Sequence, residues 1–233
     1  EVEEVEYTDK AGNLKTRKKY TSEYWIRMFG VTRKGSSITV HVTGYTPCFY
    51  VKTPSSWGKS LKKMENRCSL LQYTIHKSLC ERTPWLDNDP NFIGCKTIKR
   101  KEFYGFTNNE LFPFIKFTFK NKRTMTRVAQ LFKQVDGYYG EVWTDLIYES
   151  NIPPFLRFIH EKEIQPVMWI KLPKNKYTLT FGAGKTSRTQ LDVTIPWQNV
   201  EALDNTEAAP FLIASFDIDS CIARFINFRT IFF

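Results

Sequence analysis

The chain has 233 residues, of which 42% are hydrophobic and 25% are charged, so its composition excludes an intrinsically disordered protein. The length suffices for one large domain or two small ones. The formal net charge of +10 favours a polyanionic partner, nucleic acid first, although a basic surface without a binding role would carry the same charge. No run of about 18 apolar residues occurs, so no membrane span is predicted.

The five cysteines lie far apart and form no CxxC pair. This spacing argues against a structural zinc site, and at this length a disulfide framework is not expected either. A reducing compartment fits this pattern best. The N-terminus carries no signal peptide. Because the chain does not begin with Met, we expect it to be a fragment at both ends.

Strand signals dominate the beginning of the chain. The charged stretch 1–20 predicts either a frayed start or a hairpin that turns around Gly12. Strands are predicted at 24–29, 37–42 and 48–51, separated by Gly and Pro turns. Such closely spaced strands indicate a small barrel or a curled sheet.

Helical and strand patterns alternate in the rest of the chain. Apolar residues spaced along one face predict helices at 58–79 and 121–132, with Leu61, Met64, Leu70, Leu71 and Ile75 on the inner face of the first. Pro153 and Pro154 predict the start of a third helix over 155–163. Strands are predicted at 114–119, 168–170, 177–181 and 191–195, and a polar linker at 201–209.

The Gly-rich stretch 182–187 has some likeness to a phosphate-binding loop. Such a loop requires a glycine five residues before Gly184, where this chain has Leu179. It also leads into a long helix, whereas 190–195 has the pattern of a strand. We therefore predict a turn between strands and no nucleoside triphosphate site.

Two acidic residues, Asp217 and Asp219, end an apolar run that predicts a buried strand. Residues two positions apart project from the same face of a strand, so the two carboxylates point in one direction. Hard divalent cations prefer such oxygen ligands, and a pair of metals can drive phosphodiester hydrolysis. Solvated carboxylates at a strand end would give the same pattern.

Basic residues form clusters beside aromatic ones. We predict nucleic-acid contacts at Lys99, Arg100, Lys101, Lys122, Arg123 and Arg127. A further basic run lies at 15–19, and aromatic side chains follow Lys101 at 103–106. Positive grooves with aromatic stacking platforms bind single strands without sequence preference, although each cluster alone is more typical of a solvated face and only the clusters together favour nucleic acid. The three histidines lie far apart and are assigned core or surface roles.

Several short segments, taken together and in chain order, carry a family resemblance. They lie at 24–30, 44–51, 103–109, 112–114, 148–153, 156–158, 169–170, 187–191, 196–197 and 209–219. The most specific is Tyr-Glu-Ser-Asn-Ile-Pro at 148–153, which Leu-Arg-Phe follows at 156–158. The ordered set resembles the N-terminal region of delta-type family B DNA polymerases, including those of large eukaryotic DNA viruses.

The resemblance implies an α+β fold and a division of the chain. Residues 1–205 would be the N-terminal domain, a curled and mainly antiparallel sheet with helices. Residues 206–220 would begin a ribonuclease-H-like exonuclease, in which Asp217 is shared by two Mg²⁺ ions while Asp219 holds one of them and positions the attacking water. The family usually has Glu at this second place. Residues 221–233 resemble no family segment, and we expect them to mark a truncation.

The resemblance also implies what the parent protein does. It would be a DNA-directed DNA polymerase with 3′–5′ proofreading, and the isolated chain would bind DNA without catalysis. Its partners would be primer–template DNA, a single-stranded 3′ end, the remainder of the polymerase, and a sliding clamp or accessory subunits, with no membrane. Its place would be the nucleus or a viral replication compartment. The alternative is a stand-alone module that binds single-stranded nucleic acid and has no enzymatic parent.

Overall fold

The computed structural model describes residues 2–8, 11–58, 60–81, 86, 88–102, 107–133 and 146–210. These residues form an α+β fold with four separate sheets, none of which closes into a barrel within the described ranges. The strands are β1 (Val2–Thr8), β2 (Leu14–Tyr20), β3 (Ile26–Val31), β4 (Ser37–Thr43), β5 (Cys48–Lys52), β6 (Phe92–Lys101), β7 (Leu111–Phe119), β8 (Ile147–Tyr148), β9 (Ile170–Lys171), β10 (Thr178–Thr180), β11 (Leu191–Pro196) and β12 (Glu201–Ala202). The helices are α1 (Leu61–Cys80), α2 (Lys122–Phe132) and α3 (Pro154–Glu161).

The predicted N-terminal hairpin is confirmed: β1 and β2 pair antiparallel around a turn that contains Gly12. Its register places Glu3 opposite Lys19 and Glu4 opposite Lys18. Lys19 Nζ lies 3.1 Å from Glu3 Oε2. The basic run at 15–19 is therefore partly neutralised by the acidic strand beside it.

The elements β5, α1, β6, β7, α2 and β8 form a βαββαβ module. Its antiparallel sheet has the strand order β6-β7-β5-β8, so the last strand returns to pair with the first. This is the split β-α-β arrangement of ferredoxin-like folds. The sequence predicted α1, α2, β5 and β7 but did not predict β6 or β8.

Both helices of the module cover one face of its sheet. Side chains alternate across a strand, so Phe49, Phe117 and Phe119 point toward the helices and form one hydrophobic cluster with them. The Phe49 ring stacks 5.1 Å from Phe117 and 5.6 Å from Phe119, centroid to centroid. The predicted inner face of α1 is correct at Leu71 but wrong at Leu70, which is 50% exposed because it lies one position off the buried stripe.

The helix α2 begins where the sequence indicates. Asn121 precedes it, and its side-chain oxygen accepts a hydrogen bond of 2.8 Å from the backbone N–H of Thr124. This bond satisfies one of the N–H groups that lack a partner inside the helix. As predicted, Met125, Val128 and Phe132 face the sheet.

A second sheet has the strand order β10-β11-β4-β3. Strand β4 pairs antiparallel with β3 and parallel with β11, so it joins segments from distant parts of the chain. Its core contains Val42 and Ile195, and Phe158 of α3 packs in the same cluster. We call this sheet together with α3 the second region. Among the described strands, the pairing of β4 with β11 is parallel and the other pairings are antiparallel, so the expected mainly antiparallel arrangement is confirmed.

The segment predicted as a linker at 201–209 begins instead with β12, which pairs antiparallel with β9. Trp169 contributes to the same contact, because its indole Nε1 donates a 2.7 Å hydrogen bond to the carbonyl of Glu207. None of the helices in the described ranges is long and apolar enough to cross a membrane.

Candidate nucleic-acid interface

Two of the predicted features lie outside the described residues. These are the acidic pair Asp217 and Asp219 and the aromatic stretch 103–106. Among the residues that the structure describes, no group of three or more His, Cys, Asp or Glu side chains is arranged to hold a metal ion.

The six predicted basic residues do not form one patch. Lys99, Arg100 and Lys101 lie at the end of β6, where Lys101 pairs with Leu111, the first residue of β7. Lys122 begins α2, just beyond the other end of β7. At about 3.3 Å per residue, the length of β7 separates the two clusters by roughly 26 Å. A contact with both would need a nucleic acid that runs along the sheet.

Alternation divides the basic residues of β6 between the two faces of the sheet. Lys99 pairs with Pro113 and Lys101 with Leu111, on the side of the helices. Arg100 pairs with Phe112 and points to the opposite side. We call the exposed and half-buried part of that opposite side the open sheet face; it contains Tyr50, Lys96, Ile98, Arg100, Phe112 and Lys116. Phe114 lies on the same side of the sheet but is buried.

Like charges lie side by side on the open sheet face. Lys96 is directly opposite Lys116 in the register of β6 and β7. Such pairs destabilise a sheet. Within the described ranges, Lys96, Arg100 and Lys116 form no ion pair, whereas Lys116 Nζ lies 5.9 Å from the centroid of the Tyr50 ring. A polyanion bound here would relieve the repulsion.

One border of the open sheet face is neutral. Lys52 Nζ lies 2.6 Å from Glu102 Oε2, and the Tyr148 hydroxyl donates a 3.0 Å hydrogen bond to Glu102 Oε1. The hydrogen bond from Lys52 lowers the pKa of Glu102, so this carboxylate stays ionised. The same ammonium lies 4.7 Å from the Phe112 ring centroid.

The other border is covered by the segment that carries the most specific part of the resemblance. Arg157 of α3 lies with its guanidinium carbon 5.3 Å from the Tyr50 ring centroid and forms an ion pair with Glu149. Burial raises the pKa of Tyr50 to about 12, so its phenol is neutral at physiological pH. Arg157 thus connects the second region to the sheet of the βαββαβ module.

The loop that resembles a phosphate-binding loop is bound to a carboxylate of its own chain. Asp192 Oδ2 accepts hydrogen bonds from the backbone N–H groups of Thr186 (3.1 Å) and Ser187 (3.2 Å). Lys185 Nζ donates to the backbone carbonyls of Thr189 and Gln190. The loop begins with a short 3₁₀ turn, Gly182–Gly184, and it leads into the strand β11, whereas a phosphate-binding loop leads into a helix. The geometry agrees with the predicted turn between strands.

His41 of β4 also contacts Asp192. It is buried in the core, which is one of the two roles predicted for the histidines. Its Nε2 is 2.9 Å from Asp192 Oδ1 and 3.0 Å from Thr186 Oγ1. Burial opposes ionisation of Asp192, but hydrogen bonds from Ser187 and Thr186 and the nearby His41 lower its pKa overall. The sequence offered no signal for this contact, because His41 and Asp192 meet only through the parallel pairing of β4 with β11.

Sequence reasoning missed four residues of the open sheet face: Lys96, Lys116, Tyr50 and Phe112. The sequence gives only weak evidence for this face, because just the alternation of Phe112, Phe114 and Lys116 along β7 indicates that these three side chains share it. The register with β5 and β6 is what brings Tyr50 and Lys96 to that face.

The chain is similar in sequence to known DNA polymerases. The family described as DNA polymerase family B, exonuclease domain, matches residues 146–228. The DNA polymerase of Pyramimonas orientalis virus is 35% identical over 199 residues, which cover 85% of this chain and 15% of that protein. The DNA polymerase delta catalytic subunit of Schizosaccharomyces pombe is 30% identical over 207 residues, covering 85% of this chain and 18% of that protein.

A solved structure is also similar. It is the family B DNA polymerase from the hyperthermophilic archaeon Pyrobaculum calidifontis, with 15% sequence identity, a TM-score of 0.45 and coverage of 83% of this chain and 19% of that one. The chain therefore spans less than a fifth of the length of each relative named here.

Proposed function

Because the chain belongs to the family B DNA polymerases, we propose that it is the N-terminal segment of a DNA-directed DNA polymerase that proofreads in the 3′ to 5′ direction. The observation that carries this proposal is the similarity over 85% of the chain to a viral DNA polymerase and to a delta catalytic subunit. The match to the exonuclease domain supports the proofreading activity.

Within such an enzyme, the open sheet face binds single-stranded DNA. Lys96, Arg100 and Lys116 supply positive charge for phosphates, and binding would release condensed counterions. Phe112, which is half-buried, offers a ring surface beside those charges, as in proteins that stack bases without reading their sequence. Four-stranded βαββαβ sheets with aromatic residues on the uncovered face serve this purpose in RNA-recognition modules, which is an analogy of fold.

The acidic pair has a role in the same proposal. Asp217 and Asp219 supply carboxylate oxygens to divalent metals such as Mg²⁺, which activate water for phosphodiester hydrolysis when bound. Asp219 is one methylene shorter than the Glu that the family usually carries. The exonuclease site needs further ligands from the rest of the enzyme, so the 233 residues alone bind DNA without degrading it.

The division into 1–205, 206–220 and 221–233 remains a prediction, and the family match at 146–228 crosses both boundaries. Primer–template DNA, a single-stranded 3′ end, the remaining polymerase domains, and a sliding clamp or accessory subunits are the proposed partners. A nucleus or a viral replication compartment is the proposed location, in keeping with the viral and eukaryotic relatives.

The parent activity is tested with the complete protein encoded by the source gene. We expect primer extension from the wild type, together with Mg²⁺-dependent removal of a mispaired 3′ nucleotide. Asp217→Ala should abolish the removal and leave extension unchanged. Complete protein that neither extends a primer nor shortens a mispaired one would refute the polymerase assignment.

The DNA-binding face is tested by fluorescence anisotropy with labelled single-stranded DNA over a range of salt. Replacing Lys96, Arg100 and Lys116 by Ala should lower the slope of log K against log salt by about 2, since each single-strand phosphate contact contributes about 0.7. The triple Lys122→Ala, Arg123→Ala, Arg127→Ala tests the α2 cluster in the same way. The charge-matched control replaces the exposed lysines Lys34, Lys174 and Lys176.

Three outcomes separate the sites. A reduced slope in the first triple variant alone places the DNA on the open sheet face. A reduced slope in the α2 variant alone moves the interface to the opposite face of the module. Equal slopes in all variants, the control included, would remove both sets of residues from DNA binding.

A further inference from the structure

A pair of cysteines lies at the contact between α1 and the sheet of the βαββαβ module. Cys68 of α1 and Cys95 of β6 have their Sγ atoms 2.9 Å apart, and both are free thiols. We propose that Cys68 and Cys95 form a redox site at which hydrogen peroxide produces an intramolecular disulfide. Neither the polymerase activity nor the DNA-binding face uses these residues.

The geometry suits a disulfide. An S–S bond is about 2.05 Å long, so the two sulfurs need to approach by only about 0.9 Å. Cys95 Sγ also lies 3.4 Å from the backbone carbonyl of Cys68, which keeps this side chain against the helix. Cys68 is 4% exposed, whereas Cys95 is half-buried and therefore partly accessible to solvent.

A β-bulge brings the pair together. The register of β6 with β7 shifts between Phe92 and Gly94, and Gly94 has φ +145°, a conformation that other residues rarely adopt. A Cβ at Gly94 would lie 3.2 Å from Gln72 Oε1, and the same oxygen accepts a hydrogen bond of 3.4 Å from the Cys95 N–H. The backbone conformation at Gly94 favours glycine, and the lack of a side chain there leaves room for Gln72 of α1 beside β6.

The surroundings distinguish the two thiols. The hydrogen bond from Cys95 lowers the pKa of Cys68 against the opposing effect of burial, and Thr97 also contributes. The hydroxyl of Thr97 is buried and has no other hydrogen-bond partner in the described part of the chain, so it is available to a thiolate at Cys68. The bond to Cys68 and burial raise the pKa of Cys95. Cys68 is thus the attacking sulfur and Cys95 the resolving one.

The reaction balances with one peroxide. The Cys68 thiolate attacks one oxygen of hydrogen peroxide, the O–O bond breaks, and hydroxide leaves while a sulfenic acid forms on Cys68. That hydroxide takes the proton of Cys95 and becomes water. The Cys95 thiolate then attacks the Cys68 sulfur, the S–S bond forms, and the second hydroxide leaves and is protonated. Two thiols and one peroxide yield one disulfide and two waters.

The pair differs from Cys48, which supplies an internal control. Cys48 is buried like Cys68, but it pairs with Thr118 on the face of the sheet that points away from α1. In the folded protein, Cys48 therefore cannot form a disulfide with Cys68 or Cys95. Its modification therefore reports general oxidation or unfolding.

The test is peroxide titration of the reduced, folded chain, followed by alkylation of remaining thiols and peptide mass spectrometry. We expect a crosslink between the peptides of Cys68 and Cys95 with the loss of two hydrogens, reversed by dithiothreitol, while Cys48 is alkylated only after denaturation. Thr97→Val should slow the crosslinking roughly tenfold because the thiolate loses a donor. The variants Cys68→Ser and Cys95→Ser should form no crosslink.

Circular dichroism of each variant establishes that it is folded before it is treated. Oxidation of Cys68 to sulfinic acid without a crosslink would overturn the proposal, since the resolving thiol would then be out of reach. So would a crosslink that forms as readily in urea as in buffer, because proximity in the fold would not be its cause. The oxidised form should also melt at a higher temperature than the reduced form, since the bond constrains the unfolded chain.

Discussion

The βαββαβ module and the second region are built by different chain paths. The module uses residues 48–148 in one continuous run, and each strand pairs with a strand from the same run. The second region joins β4 to β11, which meet only after the whole module has intervened. Contacts between distant segments carry a larger cost in loop-closure entropy, so the pairing of β4 with β11 costs more than the pairings within the module.

The cores of the two regions also differ in the kind of contact that holds them together. The module is held by stacked phenylalanines between one sheet and two helices. The second region adds a polar cluster around the buried Asp192, whose carboxylate contacts His41 on one oxygen and Ser187 on the other. Apolar packing follows from side-chain pattern alone, whereas a polar cluster requires particular partners at particular positions.

The largest expected effect is a cavity in the core of the module. Phe117→Ala should lower the free energy of unfolding by about 3–5 kcal/mol, because Phe117 is fully buried between β6, β5 and α2. Urea denaturation followed by circular dichroism measures this change. Phe29, which is 71% exposed, provides the control, and Phe29→Ala should change the value by about 0.5 kcal/mol or less.

The connection between the regions is the next to test. Arg157→Ala should lower the free energy of unfolding by about 1–3 kcal/mol, since it removes the partner of Glu149 and the cover of Tyr50. Arg157→Lys keeps the charge but not the planar group, so it should recover only part of the loss. Equal stability of wild type and Arg157→Ala would mean that the two regions hold together without this contact.

A smaller effect is expected at the beginning of α2. Asn121→Ala should cost about 1 kcal/mol, because the side chain caps the Thr124 N–H. The start of α1 supplies a matched control: Ser60 occupies the same position but makes no side-chain capping hydrogen bond, so Ser60→Ala should cost less. A larger loss for Ser60→Ala than for Asn121→Ala would contradict the described cap geometry.

The free energy of unfolding should depend on pH through Asp192. The pKa of Asp192 is lower in the folded chain than its ordinary value, so the ionised carboxylate stabilises the fold fully above that ordinary value. Its contribution should be lost as the pH falls through the lowered pKa. Urea denaturation between neutral and strongly acidic pH measures the slope, and Asp192→Asn should flatten it. An unchanged slope in that variant would assign the acid sensitivity to other carboxylates.

The sequence by itself determined the local elements whose pattern is contained in one short window. The hairpin around Gly12 was one of two predicted alternatives, and the strands β4 and β5 and the helix at 121–132 follow from alternation and helical spacing. The family also followed from the sequence, through segments in a common order rather than through any one motif. Local patterns suffice here because their energetics depend on neighbours in the chain.

Only the tertiary structure decided which distant residues meet. Strand β6 was missed because its second half is rich in Lys and Arg, which an edge strand tolerates but an alternating pattern does not reveal. The separation of the six basic residues, the pairing of Lys96 with Lys116, and the contact of His41 with Asp192 depend on strand register. Register is set by burial and pairing across the whole sheet, and a shift of one residue would reverse every face.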